Sequence, residues 1–162
     1  MTPATLIPLD PRNLSLLWAT PERVADIAAL HARLFNPAWD AESICRLIEH
    51  PAAAAFVAQV RDPKAIAGFV IGQIAADQAE IQSIGVAPEW QRRGIARQMV
   101  EGLIRAARRA EVDRLFLEVA ADNAAAIRLY EGLAFAVVAR RKGYYARSGS
   151  QPVDALILSL AL

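Results

Sequence analysis

Gln91-Arg92-Arg93-Gly94-Ile95-Ala96 is the stretch on which the reading of this chain turns. An apolar run, Ile81 to Val86, precedes it and has the makings of a strand. An amphipathic segment, Ile95 to Ala110, follows it with helical spacing. A glycine-bearing turn between a strand and a helix is suited to holding a phosphate. The first N–H groups of the helix have no internal partner, and the helix dipole adds partial positive charge there. Gly94 has no Cβ, so an anion can approach the backbone closely. The arginines supply charge at the rim.

Working outward, the chain before this turn divides in two. Met1 to Asn13 is rich in proline and has no clear period, which predicts an extended arm. Leu14 to Trp18 reads as a short strand. Thr20-Pro21-Glu22 reads as a helix start, with Thr20 as N-cap and Pro21 in the first helical position. Val24, Ile27, Leu30, His31 and Leu34 continue it at helical spacing, and Phe35-Asn36-Pro37 ends it. Asp40 caps a second short helix with Ile44, Leu47 and Ile48 on one face. Phe56 to Val60, Ile66 to Ile74 and Ala79 to Val86 then read as three strands. Arg61-Asp62-Pro63-Lys64 and Ala75-Ala76-Asp77-Gln78 form hairpin-like turns between them.

Beyond the turn and its helix come a strand at Arg114 to Val119, a helix from about Asn123 to Gly132 and a strand at Phe135 to Arg141. A loop rich in Gly, Ser and Tyr leads to a last strand, Val153 to Leu160. The expected fold class is α+β: a mixed, mostly antiparallel sheet of six to seven strands flanked by about four helices. Residues 14–162 are expected to form one domain behind the arm at 1–13. A length of 162 residues suits one core.

Composition narrows the function classes. With 18 basic and 17 acidic residues the net charge is +1, which gives no support for a general nucleic-acid binder. The single cysteine, Cys45, allows neither an internal disulfide nor a cysteine-based zinc site. No metal is expected, and a reducing cytoplasm is the natural setting. Met1 to Pro11 carries three prolines and no basic segment, unlike a secretory leader. No apolar run approaches the roughly 20 residues of a membrane span. The glycine turn also lacks the Gly-x-x-x-x-Gly-Lys-Ser/Thr of a Walker loop, and it sits mid-chain, unlike a dinucleotide fingerprint. A lone glycine in a basic turn can equally begin an ordinary helix with solvated arginines, so the surrounding residues have to decide.

Those residues carry a resemblance. Val86-Ala87-Pro88-Glu89-Trp90-Gln91-Arg92-Arg93-Gly94-Ile95-Ala96 resembles the acetyl-CoA motif of the GNAT acetyltransferases, Gln/Arg-x-x-Gly-x-Gly/Ala. Leu117-Glu118-Val119-Ala120-Ala121-Asp122-Asn123-Ala124-Ala125-Ala126-Ile127-Arg128-Leu129-Tyr130-Glu131 is similar to the next block of that superfamily. His31 to Trp39, Arg140-Arg141-Lys142-Gly143-Tyr144-Tyr145 and Asp154 to Leu158 resemble the RimI-type branch, whose members acetylate the N-terminal alanine of a ribosomal protein. The resemblance covers about residues 25 to 160. It departs at Ala96, where many members have Gly, and at Ala134, where Leu-Gly-Phe is common. At Pro37-Ala38-Trp39, an alanine splits the usual Pro-Trp pair.

The resemblance implies a GNAT fold and acetyl-CoA as co-substrate. Cofactor contacts are implied at Ile84, Gly85, Val86, Arg92, Arg93, Gly94, Ile95, Ala96, Arg97 and Asn123. The general base would be Glu118, a carboxylate at the end of an otherwise apolar strand, where solvent exposure is the plain alternative. The general acid would be Tyr130, where helix packing is the plain alternative. Asn123 is also a good N-cap. The implied acceptor is a protein N-terminus. A small amine or antibiotic is the second possibility, and an acetyl-CoA-binding module without catalysis the third. His31 and His50 read as surface or boundary residues and Cys45 as a small core residue. Arg105, Arg108 and Arg109 read as a solvated helix face. Trp39, Tyr144 and Tyr145 are candidates for a peptide groove.

Overall fold

Strand pleating sends alternate side chains to the two faces of a single sheet. The computed structural model describes residues 10–162. Seven strands are β1 (Leu14–Trp18), β2 (Ala53–Arg61), β3 (Lys64–Ala75), β4 (Gln78–Val86), β5 (Arg114–Ala120), β6 (Ala136–Tyr145) and β7 (Val153–Ala161). They lie in the order β1-β2-β3-β4-β5-β7-β6. Every neighbouring pair is antiparallel except β4 and β5, which are parallel. The crossover between them is α3 (Ile95–Arg109), as a parallel connection requires.

The other helices are α1 (Val24–Leu34), α2 (Ala41–Glu49) and α4 (Ala124–Gly132). Val24, Ile27 and Leu30 of α1 and Ile44 of α2 pack on Ala55, Val57, Phe69 and Ile71, which project from one face of β2 and β3. On the opposite face Met99, Val100 and Leu103 of α3 and Tyr130 of α4 pack on Val70, Ile81, Leu115, Leu117, Val119 and Leu158. The predicted boundaries of most elements hold to within a few residues. Asp40 caps α2 as expected, its Oδ1 accepting from the Ser43 N–H at 2.8 Å.

Some details differ. Thr20 is not a side-chain cap: Pro21–Arg23 form a 3-10 turn, α1 begins at Val24, and Thr20 Oγ1 instead accepts from Arg23 at 3.0 Å. Tyr144 and Tyr145 are not in a loop, because β6 runs on through Tyr145. The expected arm falls mostly outside the described residues. Within them, Pro11–Asn13 form a 3-10 turn, and the Asn13 amide exchanges two hydrogen bonds with the backbone of Asp62.

The end of α4 explains the departure at Ala134. The Phe135 N–H bonds the Tyr130 carbonyl and the Ala134 N–H that of Glu131, both at 3.0 Å, which is a Schellman ending. Ala134 therefore sits at φ +71, in the left-handed region. An L-residue there costs about 1–2 kcal/mol. Ala134→Gly is expected to stabilise the fold by about 1 kcal/mol, raising Tm by about 2–4 °C in a thermal melt.

Candidate active site

The site begins where two strands part. β4 and β5 pair only from Gln78↔Arg114 to Ile81↔Leu117. Beyond that point β4 stays bonded to β3 as far as Val86↔Gly68, and β5 stays bonded to β7 as far as Ala120↔Ala155. Between them the sheet opens in a wedge. Along Gln82–Val86 and Glu118–Ala120 the inner backbone groups have no strand partner among the described residues. A one-residue irregularity in β4, opposite Ile71 and Gly72, accompanies the parting. Such bulges bend a strand and increase its twist.

At the head of the wedge β4 leads through a 3-10 turn, Pro88–Trp90, into α3. Gly94 is the N-cap at φ +81, ψ 10, and no side chain caps the helix. A Cβ at Gly94 would meet nothing within 4 Å among the described residues, so the space before the helix is open. Arg92 also holds a left-handed φ, +63. The Gln91 side chain ties the turn to the strand by donating to the Val86 carbonyl at 2.9 Å. The Arg93 guanidinium lies over the Trp90 ring, 4.9 Å from its centre, and its Nε is buried without a partner among the described residues. Free helical N–H groups and open space before the helix fit a pyrophosphate. Arg97 is less available, since its Nε donates to Glu101 at 3.0 Å. Ile95 is buried in the core, so any contact it makes with a ligand comes from its backbone.

Glu118 and Tyr130 lie on opposite faces of the sheet. Leu117 and Val119 join the α3–α4 core, so Glu118 points to the other face by strand alternation. There it lines an open cleft of about 340 Å³ with Gln73, Gln78, Glu80, Phe116 and Arg141. Arg141 Nη1 lies 3.9 Å from its carboxylate. Tyr145 is also beside it: burial, followed by the negative charge of Glu118, raises the Tyr145 phenol above its ordinary value. A chain of contacts continues outward, with Arg147 over the Tyr145 ring at 5.5 Å and paired to Asp122 at 3.1 Å. Tyr130, by contrast, is 4% exposed and packs edge-on against Phe135, with ring centres 5.4 Å apart. Burial pushes its phenol up to about 12. Asn123 caps α4, accepting from the Ala126 N–H at 3.2 Å, which leaves its amide N–H groups for other partners.

The sequence of this framework is shared. The profile of the Acetyltransferase (GNAT) family matches residues 18–135. The chain belongs to the GNAT family. Its α+β sheet, parting between the two parallel strands, is the GNAT fold. A 97-residue stretch is 40% identical to the ribosomal protein bS18-alanine N-acetyltransferase of Escherichia coli K12, covering 60% of this chain. The match spans 65% of that relative's length. The crystal structure of the ribosomal-protein-S18-alanine N-acetyltransferase from Escherichia coli superposes with a TM-score of 0.82 at 29% identity. That alignment covers 91% of this chain and 93% of the other. Arabidopsis thaliana NAA60 in complex with acetyl-CoA shares the fold, with a TM-score of 0.80 at 21% identity over 92% of this chain and 98% of that one.

The predicted site residues come from β4, the turn into α3, α3 itself, β5 and the start and body of α4. Two neighbours of Glu118, Arg141 and Tyr145, were not assigned to it from the sequence. Their strand is almost wholly exposed and shows no alternation to orient them. Arg105, Arg108 and Arg109 form an exposed face, as expected, and Cys45 is half-buried beside the α1–α2 core. His31 corrects its reading as a surface or boundary residue. It is 2% exposed, stacks on Trp39 with centres 4.9 Å apart, and its Nδ1 accepts from the Trp39 N–H at 3.1 Å. Burial lowers its pKa below 6.5.

That shift has a pH consequence. Below pH 6.5 the unfolded chain protonates this imidazole while the fold resists, so stability falls as pH drops. Above 6.5 the contribution is fully present. Thermal melts are expected to show Tm declining below pH 6.5. His31→Asn, which offers an oxygen to the Trp39 N–H, should flatten the decline; an unchanged slope would acquit His31.

Proposed function

We propose that this chain is an acetyl-CoA-dependent N-acetyltransferase that modifies the N-terminal α-amine of a cytoplasmic protein beginning with alanine. Ribosomal protein bS18 is the acceptor suggested by its relatives' names. The observation that carries this reading is the wedge. A free helix N-terminus stands at its head, and Glu118 is the first residue of β5 past the last β4–β5 pair.

The residues divide the work. The N–H groups of Gly94, Ile95, Ala96 and Arg97, with the charge of Arg92 and Arg93, hold the pyrophosphate. The inner backbone edge of Ile84, Gly85 and Val86 takes the pantetheine arm as an added strand would be taken, and Asn123 donates its free amide hydrogens. The co-substrate supplies an activated acyl carbon. Backbone N–H groups of β4 polarise its carbonyl. Glu118 removes the amine's proton, and Tyr130 hands a proton to the departing sulfur.

The chemistry of the amine favours an N-terminus. An α-amine has a reference pKa near 8, so neutralising it at pH 7 costs about 1 kcal/mol, against about 4–5 kcal/mol for a lysine near 10.4. One carboxylate is sufficient for the first task and poorly matched to the second. The test is acetyl transfer, read by mass spectrometry, to a peptide beginning with Ala, beside a copy with a blocked N-terminus and an internal lysine. Transfer to the free N-terminus alone is the expected result. Transfer to neither, with acetyl-CoA still bound, would move the function to a small amine or to a binding module.

A further inference from the structure

Helices cover only part of the sheet face from which Glu118 projects. Phe69 and Ile71 of β3 lie on that face beneath α1 and α2. The next residues of β3 on it, Gln73 and Ala75, are half-buried and exposed. The cleft of about 340 Å³ occupies this uncovered part. Ala79 and Ile81 join the opposite core, so Glu80, between them, projects into the cleft. It pairs in register with Gln73 on one side and Phe116 on the other. Glu118 stands two residues beyond Phe116 on β5. With strands about 4.8 Å apart and a rise of about 3.3 Å per residue, the Cα atoms of Glu80 and Glu118 are roughly 8 Å apart. The charges in the cleft do not cancel. Arg141 lies 3.9 Å from Glu118. Glu80 is exposed and enters no ion pair among the described residues. Arg114 is turned to Ser159, its Nη1 donating to Oγ at 3.1 Å, and does not line the cleft. One negative charge is left uncompensated, beside half-buried Phe116 and Ile157 and the amides of Gln73 and Gln78.

We propose that Glu80 selects acceptors carrying a cationic group next to the reacting amine, which in a protein acceptor is Arg or Lys in the second position. This deepens the acetyltransferase reading above and rests on it. Consecutive Cα atoms of a peptide are about 3.8 Å apart, so a long side chain on the second residue spans the gap to Glu80 while the terminal amine is at Glu118. The stem of Arg or Lys is apolar and lies on Phe116 and Ile157. Its charged head meets the Glu80 carboxylate and the amide oxygens of Gln73 and Gln78. A neutral side chain leaves Glu80 to water, and an acidic one is repelled. Glu80 takes no proton from the amine; it discriminates by charge.

The test measures kcat/KM for peptides beginning Ala-Arg, Ala-Gln and Ala-Glu in wild type, Glu80→Gln and Glu80→Lys. Wild type is expected to prefer Ala-Arg over Ala-Gln by about three- to tenfold, through KM, and to rank Ala-Glu last. Raising the ionic strength to about 0.5 M should narrow that preference. In Glu80→Gln the Arg-over-Gln ratio should fall to about one with KM for acetyl-CoA unchanged. In Glu80→Lys the order should invert in favour of Ala-Glu. A ratio unchanged in Glu80→Gln would overturn the proposal. An equal loss of kcat on all three peptides would overturn it too, since Glu80 would then serve the proton transfer and not the neighbouring side chain. A wild type that acetylates none of the peptides would overturn the α-amine reading. Putrescine would then be compared with butylamine as acceptor: a Glu80-dependent preference for the diamine supports selection by charge, and its absence overturns that as well.

Discussion

Glu118→Gln is expected to lower kcat for an Ala-terminated peptide by about 10²–10⁴-fold while leaving acetyl-CoA affinity unchanged. Glutamine keeps the shape of the side chain and its place in the cleft but cannot take a proton. Folding should be nearly unaffected. The carboxylate is 26% exposed and its ion partner Arg141 is half exposed at 3.9 Å, a geometry worth little. The defect should depend on pH in one direction. Near pH 7 most of an α-amine with pKa about 8 is protonated and needs the base; near pH 9 most of it is already neutral. The ratio of wild-type to variant kcat/KM should therefore narrow as pH rises from 7 to 9. A ratio that stays constant would mean that Glu118 orients the acceptor without removing its proton. No loss of kcat at any pH would return Glu118 to the role of a strand-end carboxylate that merely meets solvent.

Local chemistry in the sequence carried a good part of this site. The Gly94 turn, the amphipathic face of α3, the Asp40 and Asn123 caps and the apolar strand around Glu118 each depend on residues a few positions apart, so each was readable. The opening of the sheet was not. Where β4 and β5 cease to pair is set by twist, by the irregularity at Gln82 and by the competing partners β3 and β7, and none of these leaves a periodic mark. β6 misled differently. As an exposed edge it lacks alternation, so Gly143 and two tyrosines read as loop, although Tyr145 pairs with Val153. His31 was misjudged because its residue type is commonly exposed; only the fold shows the backbone N–H that satisfies it. Ala134 shows the opposite case, a position where the family's glycine told the backbone conformation and this chain adopts it with the less suited residue.

Tyr130→Phe is expected to lower kcat by about 10²-fold with a change in Tm of no more than a few degrees. The ring is what packs: it meets Phe135 edge-on and lies among Leu117, Val119 and the α3 residues, and phenylalanine keeps all of that. Only the hydroxyl is lost. Burial raises its pKa to about 12, so the phenol stays protonated throughout the range in which the enzyme would be assayed. Because the folded value lies above the ordinary 10, the associated stability is fully present below pH 10 and is lost as pH climbs from there toward 12. Activity should therefore show no Tyr130-dependent decline between pH 7 and 9.5. A basic limb in that interval that vanished in Tyr130→Phe would contradict a phenol held protonated by burial. The variant also separates acid from anchor. If the hydroxyl serves the departing sulfur, Tyr130→Phe loses kcat and keeps acetyl-CoA affinity. If instead Tyr130 is a core ring whose hydroxyl is incidental, kcat survives, and the proton for the thiolate must come from water entering the wedge.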